Sequence, residues 1–478
     1  MSVDLTSALL LAPHCATPEV VSFVGGGGKS SAMARLADEL TARGRRVVVT
    51  TTTHIAERQS NWFGPLIEMR GELVDYALVT TALDTEGKCL IAQATHGGKR
   101  MGIKPDQVDA LVTAAADLAL DAVLIEADGS RGLPVKAPAA HEPVIPDCTT
   151  LLVSVLGLDG IGARLDETHV HRPDILRRLL GLPSADLEVR LAPAMVAQLL
   201  TDDRGGAKSK PSGARQLCLL NKADNAPRRW MARLVAHRLV EAGYPSVIAA
   251  LGLEDRERDV ERWAPTAAVV LAAGQAQRMG RAKQLVEIDG VTLLERAVRV
   301  ALQSSAQQVM VVTGAHAESV RPLLLDLQRR ADGRLRHAHN PNWASGQASS
   351  VAAAIGALSP AFGAAIFLPV DQPFLEPLLL RRLAQGWRQG AQLVAPMVDG
   401  EIRGAPALFD RVFWPALNSL TGDVGGKLLL RQHRDAVVAV EADATWLRDI
   451  DTPADLDGLN PFLEVQPRGH GPESKLQV

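Results

Sequence analysis

Short apolar runs punctuate the chain, and most are followed by a longer stretch with helical spacing of apolar positions. In the first half these runs are Val20 to Val24, Val47 to Thr50, Ala122 to Ile125, Leu151 to Val155 and Leu217 to Leu220. In the second they are Ala268 to Leu271, Val309 to Val312, Ala364 to Leu368 and Leu393 to Ala395. None alternates with polar residues as a strand with one wet face would, so they predict strands buried on both sides. Stretches between them, such as Ala32 to Ala42, predict the covering helices. The pattern predicts an α/β fold: two three-layer α/β/α domains with mostly parallel sheets. Ligands of such sheets bind beyond the C-terminal strand ends.

The clearest break in the pattern is Glu254 to Pro265, EDRERDVERWAP, which is charged and closed by proline before a new apolar run. It predicts a nucleotide-binding domain over 1–262 and a second domain over 263–465. Residues 466–478 lack periodicity and read as a disordered tail. Thr201 to Gly213 reads as a loop inside the first domain. A chain of 478 residues exceeds what one core sustains, and 47% hydrophobic with 22% charged residues is an ordinary globular balance.

Net charge is -3 with no dense basic stripe, which argues against nucleic acid as a partner. Cys15, Cys89, Cys148 and Cys218 are widely spaced, so they predict neither a zinc ribbon nor disulfides. With no basic leader and no long apolar run, a soluble cytoplasmic protein without membrane contact is expected.

The run Ala268 to Leu271 continues into Leu271 to Lys283, LAAGQAQRMGRAK. A buried strand entering a glycine loop that ends in two cations suits a triphosphate: backbone N–H groups close on it, and Arg278 and Lys283 meet its oxygens. The spacing is neither GxGxxG nor GxxxxGK[ST]. Val370-Asp371-Gln372-Pro373 follows the run Ala364 to Leu368, and Asp371 at a buried strand end is placed to hold Mg²⁺. Asp449-Ile450-Asp451-Thr452-Pro453-Ala454-Asp455 supplies further carboxylates, although Asp449 and Asp455 serve equally well as helix caps. Two carboxylates sharing one Mg²⁺ beside a triphosphate is chemistry for nucleotidyl transfer.

Asn340 to Ser350 adds N-x-x-W-x-x-G-x-x-S-S, Gly404 to Phe409 a G-x-P-x-L-F loop, and Leu420 to Lys427 a segment LTGDVGGK. In this order the motifs over 266–460 resemble the MobA-like nucleotidyltransferases, and within them the molybdenum cofactor cytidylyltransferases. The resemblance implies a Rossmann-like nucleotidyltransferase fold, CTP as donor and molybdopterin cofactor as acceptor substrate. It implies Arg278, Lys283 and Asp371 as catalytic residues, and Asp451 as a second Mg²⁺ ligand. Leu271, Ala272, Ala273, Gly274, Gly280, Gly346 and Ser349 would line the nucleotide. Relatives that use GTP tend to begin LAGG, and Ala272-Ala273-Gly274 tilts the base toward cytosine. Ala276 stands where the family has serine, and Lys427 where it has arginine.

The first half carries a different phosphate loop. Val24-Gly25-Gly26-Gly27-Gly28-Lys29-Ser30-Ser31 follows a strand and opens a helix, the setting of a P-loop, although Phe23 stands where the strict pattern has glycine. Gly25 to Gly28 and Ser31 would cradle phosphates, Lys29 would reach the β/γ-phosphates and Ser30 would bind Mg²⁺. Val123 to Gly129 ends a strand in acids, with Asp128 ordering the Mg²⁺ shell. Leu219 to Asp224 holds NKxD, in which Asn221, Lys222 and Asp224 would hold guanine, making GTP the expected ligand and ATP the alternative. Arg131, Lys136, His141 and Glu142 lie in a proline-rich loop and suit a pocket or turn roles alike. His169-Val170-His171 reads as coincidence rather than a metal pair.

FVGGGGKSS, TTTTHI (Thr50 to Ile55), the segment Glu126 to Pro146 and LLNKAD together resemble the YqeC family, which is tied to selenium-dependent molybdenum hydroxylases. The two resemblances imply a cytidylyltransferase fused to a nucleotide-binding accessory domain that serves a hydroxylase of the xanthine dehydrogenase type. Other expectations stay open: guanylyl transfer, sugar-phosphate nucleotidyl transfer, or a cofactor-carrying chaperone with a vestigial transferase site.

Overall fold

A computed structural model describes residues 4–11, 17–69, 71, 73–183, 188–252, 260–359 and 361–457. Cys15, the 254–259 part of the charged break and the tail from 466 lie outside the described residues. The main sheet of the first half is built from β1 (Glu19–Gly25), β2 (Val47–Thr51), β3 (Leu66–Glu68), β4 (Lys88–Ala92), β5 (Ala122–Glu126), β6 (Leu151–Gly157), β7 (Arg215–Asn221), β8 (Ser246–Ile248) and β9 (Glu261–Trp263). They form one sheet in the order β9-β8-β7-β6-β1-β5-β2-β4-β3, parallel throughout except for β9 on β8. The two faces of β1 show why the run is apolar throughout. Val21 and Phe23 pack into one core under helix α1 (Lys29–Thr41), whereas Val20 and Val24 pack into the core on the other face.

The second half has β10 (Thr266–Ala272), β11 (Gln308–Thr313), β12 (Leu335–His339), β13 (Ala364–Pro369), β14 (Leu393–Val398), β15 (Glu401–Ile402), β16 (Ala407–Asp410) and β17 (Val437–Glu441). The order is β12-β11-β10-β13-β16-β14-β15, with β17 beside β14. Pairs from β12 to β13 are parallel, and β16 runs antiparallel to both its neighbours. Ala268 and Val270 pack under helices α2 (Leu293–Leu302) and α3 (Pro377–Arg388), while Ala267 and Val269 pack on the opposite face. Both halves are therefore mixed α/β with mostly parallel sheets.

Some segments depart from the expected pattern. Glu261–Trp263, inside the charged break, is the edge strand of the first sheet. Its Arg262 is 1% exposed and donates to Asp410 Oδ2 of the second half at 2.6 Å, with its guanidinium 4.3 Å from the Trp387 ring. Ala407 to Phe409, taken as loop, lie in β16, because Ala407, Leu408 and Phe409 have core on both faces to fill. Among the described residues no helix is long and apolar enough to cross a membrane.

Candidate functional site

Register brings the predicted segments of the second half together. Leu271 lies opposite both Val312 and Pro369, so the glycine loop after β10 and the Asp371 turn after β13 leave the sheet side by side. The Asp449 segment is tied to that turn by its backbone, Ile450 N–H donating to the Asp371 carbonyl at 2.9 Å. Asp455 completes the tie. Its Oδ2 accepts from the Asp451 and Thr452 N–H groups at 2.9 and 2.7 Å, so it positions Asp451 rather than facing a ligand.

Lys283 is at the centre. Its ammonium lies 2.7 Å from Asp371 Oδ2 and 2.8 Å from Asp451 Oδ1, with the side chain almost buried. Burial opposes its charge, but Asp371 and Asp451 outweigh burial and its pKa is raised. Arg278 stands at the rim, largely exposed, 3.5 Å from Asp451. Asp371 Oδ1 is buried and has no hydrogen-bond partner among the described residues. An orphaned carboxylate oxygen beside a second carboxylate fits a hard divalent cation such as Mg²⁺. No group of three His, Cys, Asp or Glu that could hold a metal occurs among the described residues.

Two cavities meet there. One, about 630 Å³, is lined by Ala273, Gly274, Lys283, Trp343, Gly346 and Ser350 among others. The other, about 490 Å³, is lined by Phe367, Gln372, Arg403, Lys427, Leu447 and Asp449 among others. Leu271, Gln347, Pro369 and Asp371 belong to both walls. A Cβ at Gly274 would meet nothing within 4 Å, so no packing demands glycine there, and the residue lines the first cavity. Gly346 is different: its φ is +106° and a Cβ would stand 2.2 Å from Gly422, so the glycine lets the LTGDVGGK loop close on helix α4 (Gln347–Ala357). Lys427 of that loop lines the second cavity.

The predicted nucleotide residues are only partly gathered. Leu271, Ala273 and Gly274 line the first cavity; Ala272 is buried in the sheet and its carbonyl accepts from Gln284 at 2.7 Å. Gly280, at φ +71°, supplies a left-handed turn between the two cations. The Ser349 hydroxyl is within hydrogen-bonding distance of Asn342 O, Gly346 O and Asn340 Nδ2, while its neighbour Ser350 lines the cavity. A one-residue offset on a helix decides between them. Gln372, Gln347 and Arg403 went unmarked in the sequence reading, and only their adjacency to motif residues signalled them.

In the first half, Phe23 lies opposite Glu126 at the end of β5 and β1 runs on to Gly25, which brings the glycine loop beside the acids. Lys29 is buried, donates to Gly25 O at 2.6 Å, and lies 3.2 Å from Asp128 and 3.7 Å from Glu126. Burial opposes the Lys29 charge, yet the two acids keep its pKa raised; burial raises that of Glu126, partly offset by Lys29. Ser30 Oγ donates to Glu126 at 3.0 Å. Asp128 accepts from Gly25 N–H and lies 2.8 Å from Lys136. The amides of Gly26 and Gly27 donate to Val155 and Leu133 carbonyls. Helix α1 begins directly after this loop, at Lys29, with Gly28 at φ +116° as its cap.

The ion-pair chain continues outward. Lys136 lies 2.7 Å from Glu142, and Arg172 donates to Glu142 at 2.5 Å. Burial would raise the Glu142 pKa, but Arg172 and Lys136 hold it down to about 2. Asn221 Nδ2 donates to Gly27 O at 2.9 Å, fastening NKAD to the loop; Lys222 pairs with Asp159 and Asp224 with Arg228. His169 lies within hydrogen-bonding distance of Asp166, at 3.0 Å, and burial together with Arg172 lowers the pKa of His171. Cys89, Cys148 and Cys218 are free thiols pushed up to about 12 by burial.

A family model described as YqeC protein matches residues 21–174, and one described as MobA-like NTP transferase domain matches residues 268–437. The chain is similar to the protein YqeC of Escherichia coli (strain K12), 37% identical over 207 residues that cover 43% of this chain and 76% of that protein. It is similar to nicotine blue oxidoreductase of Paenarthrobacter nicotinovorans, 32% identical over 194 residues, 38% of this chain and 91% of that protein. Among solved structures, Rv0371c of Mycobacterium tuberculosis H37Rv is 26% identical, covering 41% of this chain and 97% of that one with a TM-score of 0.36.

Proposed function

The chain belongs to the YqeC family in its first half and to the MobA-like NTP transferase family in its second, and from that premise we propose that it is a CTP:molybdenum cofactor cytidylyltransferase. The second half would transfer CMP from CTP to the phosphate of molybdopterin cofactor. An acceptor phosphate oxygen bonds to the α-phosphorus of CTP, the bond to the β-phosphate oxygen breaks, and pyrophosphate leaves. The observation that carries the reading is the pair of cavities sharing Asp371, one for the donor nucleotide and one for the acceptor. Bringing two phosphates together in line removes much of the entropic barrier.

Each residue has a role in that scheme. Lys283 and Arg278 meet the triphosphate oxygens, and Gly274 lets the backbone approach them. Asp371 and Asp451 would hold Mg²⁺, which supplies charge neutralisation on the triphosphate. Arg403 and Lys427 face the acceptor's phosphate across the second cavity. The Ala273 methyl narrows the first cavity where relatives that use GTP have glycine, which favours cytosine.

The first half would bind a nucleotide, GTP on the NKAD reading, with Lys29 leaving Gly25 O for the β/γ-phosphates. Gly25 to Gly28 and Ser31 flank that site, and Ser30 and Asp128 would order its Mg²⁺. Its role would be to prepare or deliver the cofactor for a xanthine-dehydrogenase-type hydroxylase. Pyrophosphate release with CTP, GTP, ATP and UTP, with and without molybdopterin cofactor, tests the assignment. A response to CTP only in the presence of cofactor supports it; a GTP-only response replaces it with guanylyl transfer. If Asp371→Ala still matures the hydroxylase as well as the unaltered protein does, the second half acts as a cofactor carrier and not as a transferase.

A further inference from the structure

Gln372 sits in the acceptor cavity with one end of its amide satisfied and the other not. The side chain is 7% exposed. Its Nε2 donates to Asp449 Oδ1 at 3.1 Å and reaches Ala405 O at 3.5 Å. Both neighbours are acceptors, so the nitrogen must face them and Oε1 must face away. Oε1 is buried and accepts from no group among the described residues. A buried amide oxygen left unpaired is unfavourable, and this one belongs to a residue that lines the cavity.

The rest of the cavity says what that partner is. Phe367, Leu417 and Leu447 form apolar walls, with Phe409 set edge-on to Phe367 at 6.0 Å between centroids. Arg403 and Lys427 bring cations to the same space, whereas Asp449 and Gln372 bring acceptors. An occupant that fits is a flat fused heterocycle with N–H donors on one edge and an anionic group elsewhere. We propose that Gln372 is a specificity-determining residue whose Oε1 accepts from the N–H edge of a pterin-type ring on the acceptor. The inference rests on the cytidylyl-transfer reading of this site, and it adds to that reading the group that recognises the acceptor's ring.

The test uses the full chain and 6-hydroxymethylpterin, whose own fluorescence reports binding without any transfer step. The unaltered protein should quench it, and Gln372→Met, which keeps length but removes the acceptor, should weaken the affinity roughly tenfold, within the 5- to 100-fold range of one buried hydrogen bond. CTP affinity measured on the same preparation should stay within about twofold, which shows that the variant is folded. Equal pterin affinity in the two proteins overturns the proposal, as does a CTP-binding wild type that leaves the pterin unquenched. If pterin binding depends on Gln372 but no CMP is transferred to molybdopterin cofactor, the transfer reading fails and this one stands.

Discussion

Lys283→Met is the perturbation that separates the roles assigned to the site. It removes the ammonium lying 2.7 Å from Asp371 and 2.8 Å from Asp451 and leaves the two carboxylates facing the same space. At contact distance each pair is worth a few kcal/mol at an effective dielectric near 20, but the Asp451 side chain is 46% exposed and water screens its share. We expect a net loss of about 1–3 kcal/mol of stability without nucleotide. The catalytic effect should be larger, because a fixed cation aimed at charge that develops on the leaving pyrophosphate is worth roughly 10²–10³ in rate. The unscreened carboxylates should also bind Mg²⁺ more tightly, so Mg²⁺ should raise the thermal midpoint of the variant more than that of the unaltered protein. Pyrophosphate release and thermal unfolding over a Mg²⁺ titration measure both. A turnover within about fivefold of normal, set against that expected loss, would refute the triphosphate role. An equal Mg²⁺ shift in the two proteins would refute the metal role of Asp371 and Asp451.

Ala273→Gly opens the first cavity by one methyl group, and the ratio of GTP to CTP use in the pyrophosphate assay should rise about tenfold; an unchanged ratio removes Ala273 from base selection. Glu142, held at about 2 instead of 4.5, contributes stability at neutral pH that is lost as pH falls from about 5 toward 2, because the unfolded chain takes up its proton first. Glu142→Gln should therefore lower the unfolding midpoint at pH 7 and flatten its decline over that acid range. Arg262→Met strands Asp410, which is 3% exposed, and should destabilise the chain by about 3–5 kcal/mol in denaturant unfolding, with part recovered when Asp410 is also made apolar.

The strands with core on both faces were legible because burial on both sides leaves no polar position to confuse the pattern. Leu335–His339 was not, since its burial falls away after Leu335 and Arg336, His337 and His339 give it the composition of a loop. Glu261–Trp263 was hidden for a related reason: only its middle residue is buried, and that residue is an arginine whose partner lies 148 positions away. At the candidate site, Asp371 follows closely on the strand Ala364–Pro369 and Lys283 closes the glycine loop after Thr266–Ala272, both features that the sequence marks. The orientation of Gln372 depends on Asp449, and the seat of Asp449 depends on a backbone bond from Ile450 to Asp371, contacts that no local pattern encodes. The glycine loop of the first half was visible, whereas the bonds of Gly26 and Gly27 to protein carbonyls depend on how β6 and the Leu133 turn pack against it.

The central claim is tested most directly by following the α-phosphate. With α-labelled CTP, Mg²⁺ and molybdopterin cofactor, the account predicts label covalently attached to the cofactor as CMP and one pyrophosphate released for each label transferred. Label recovered only as free CMP, or transferred only from GTP, would contradict it.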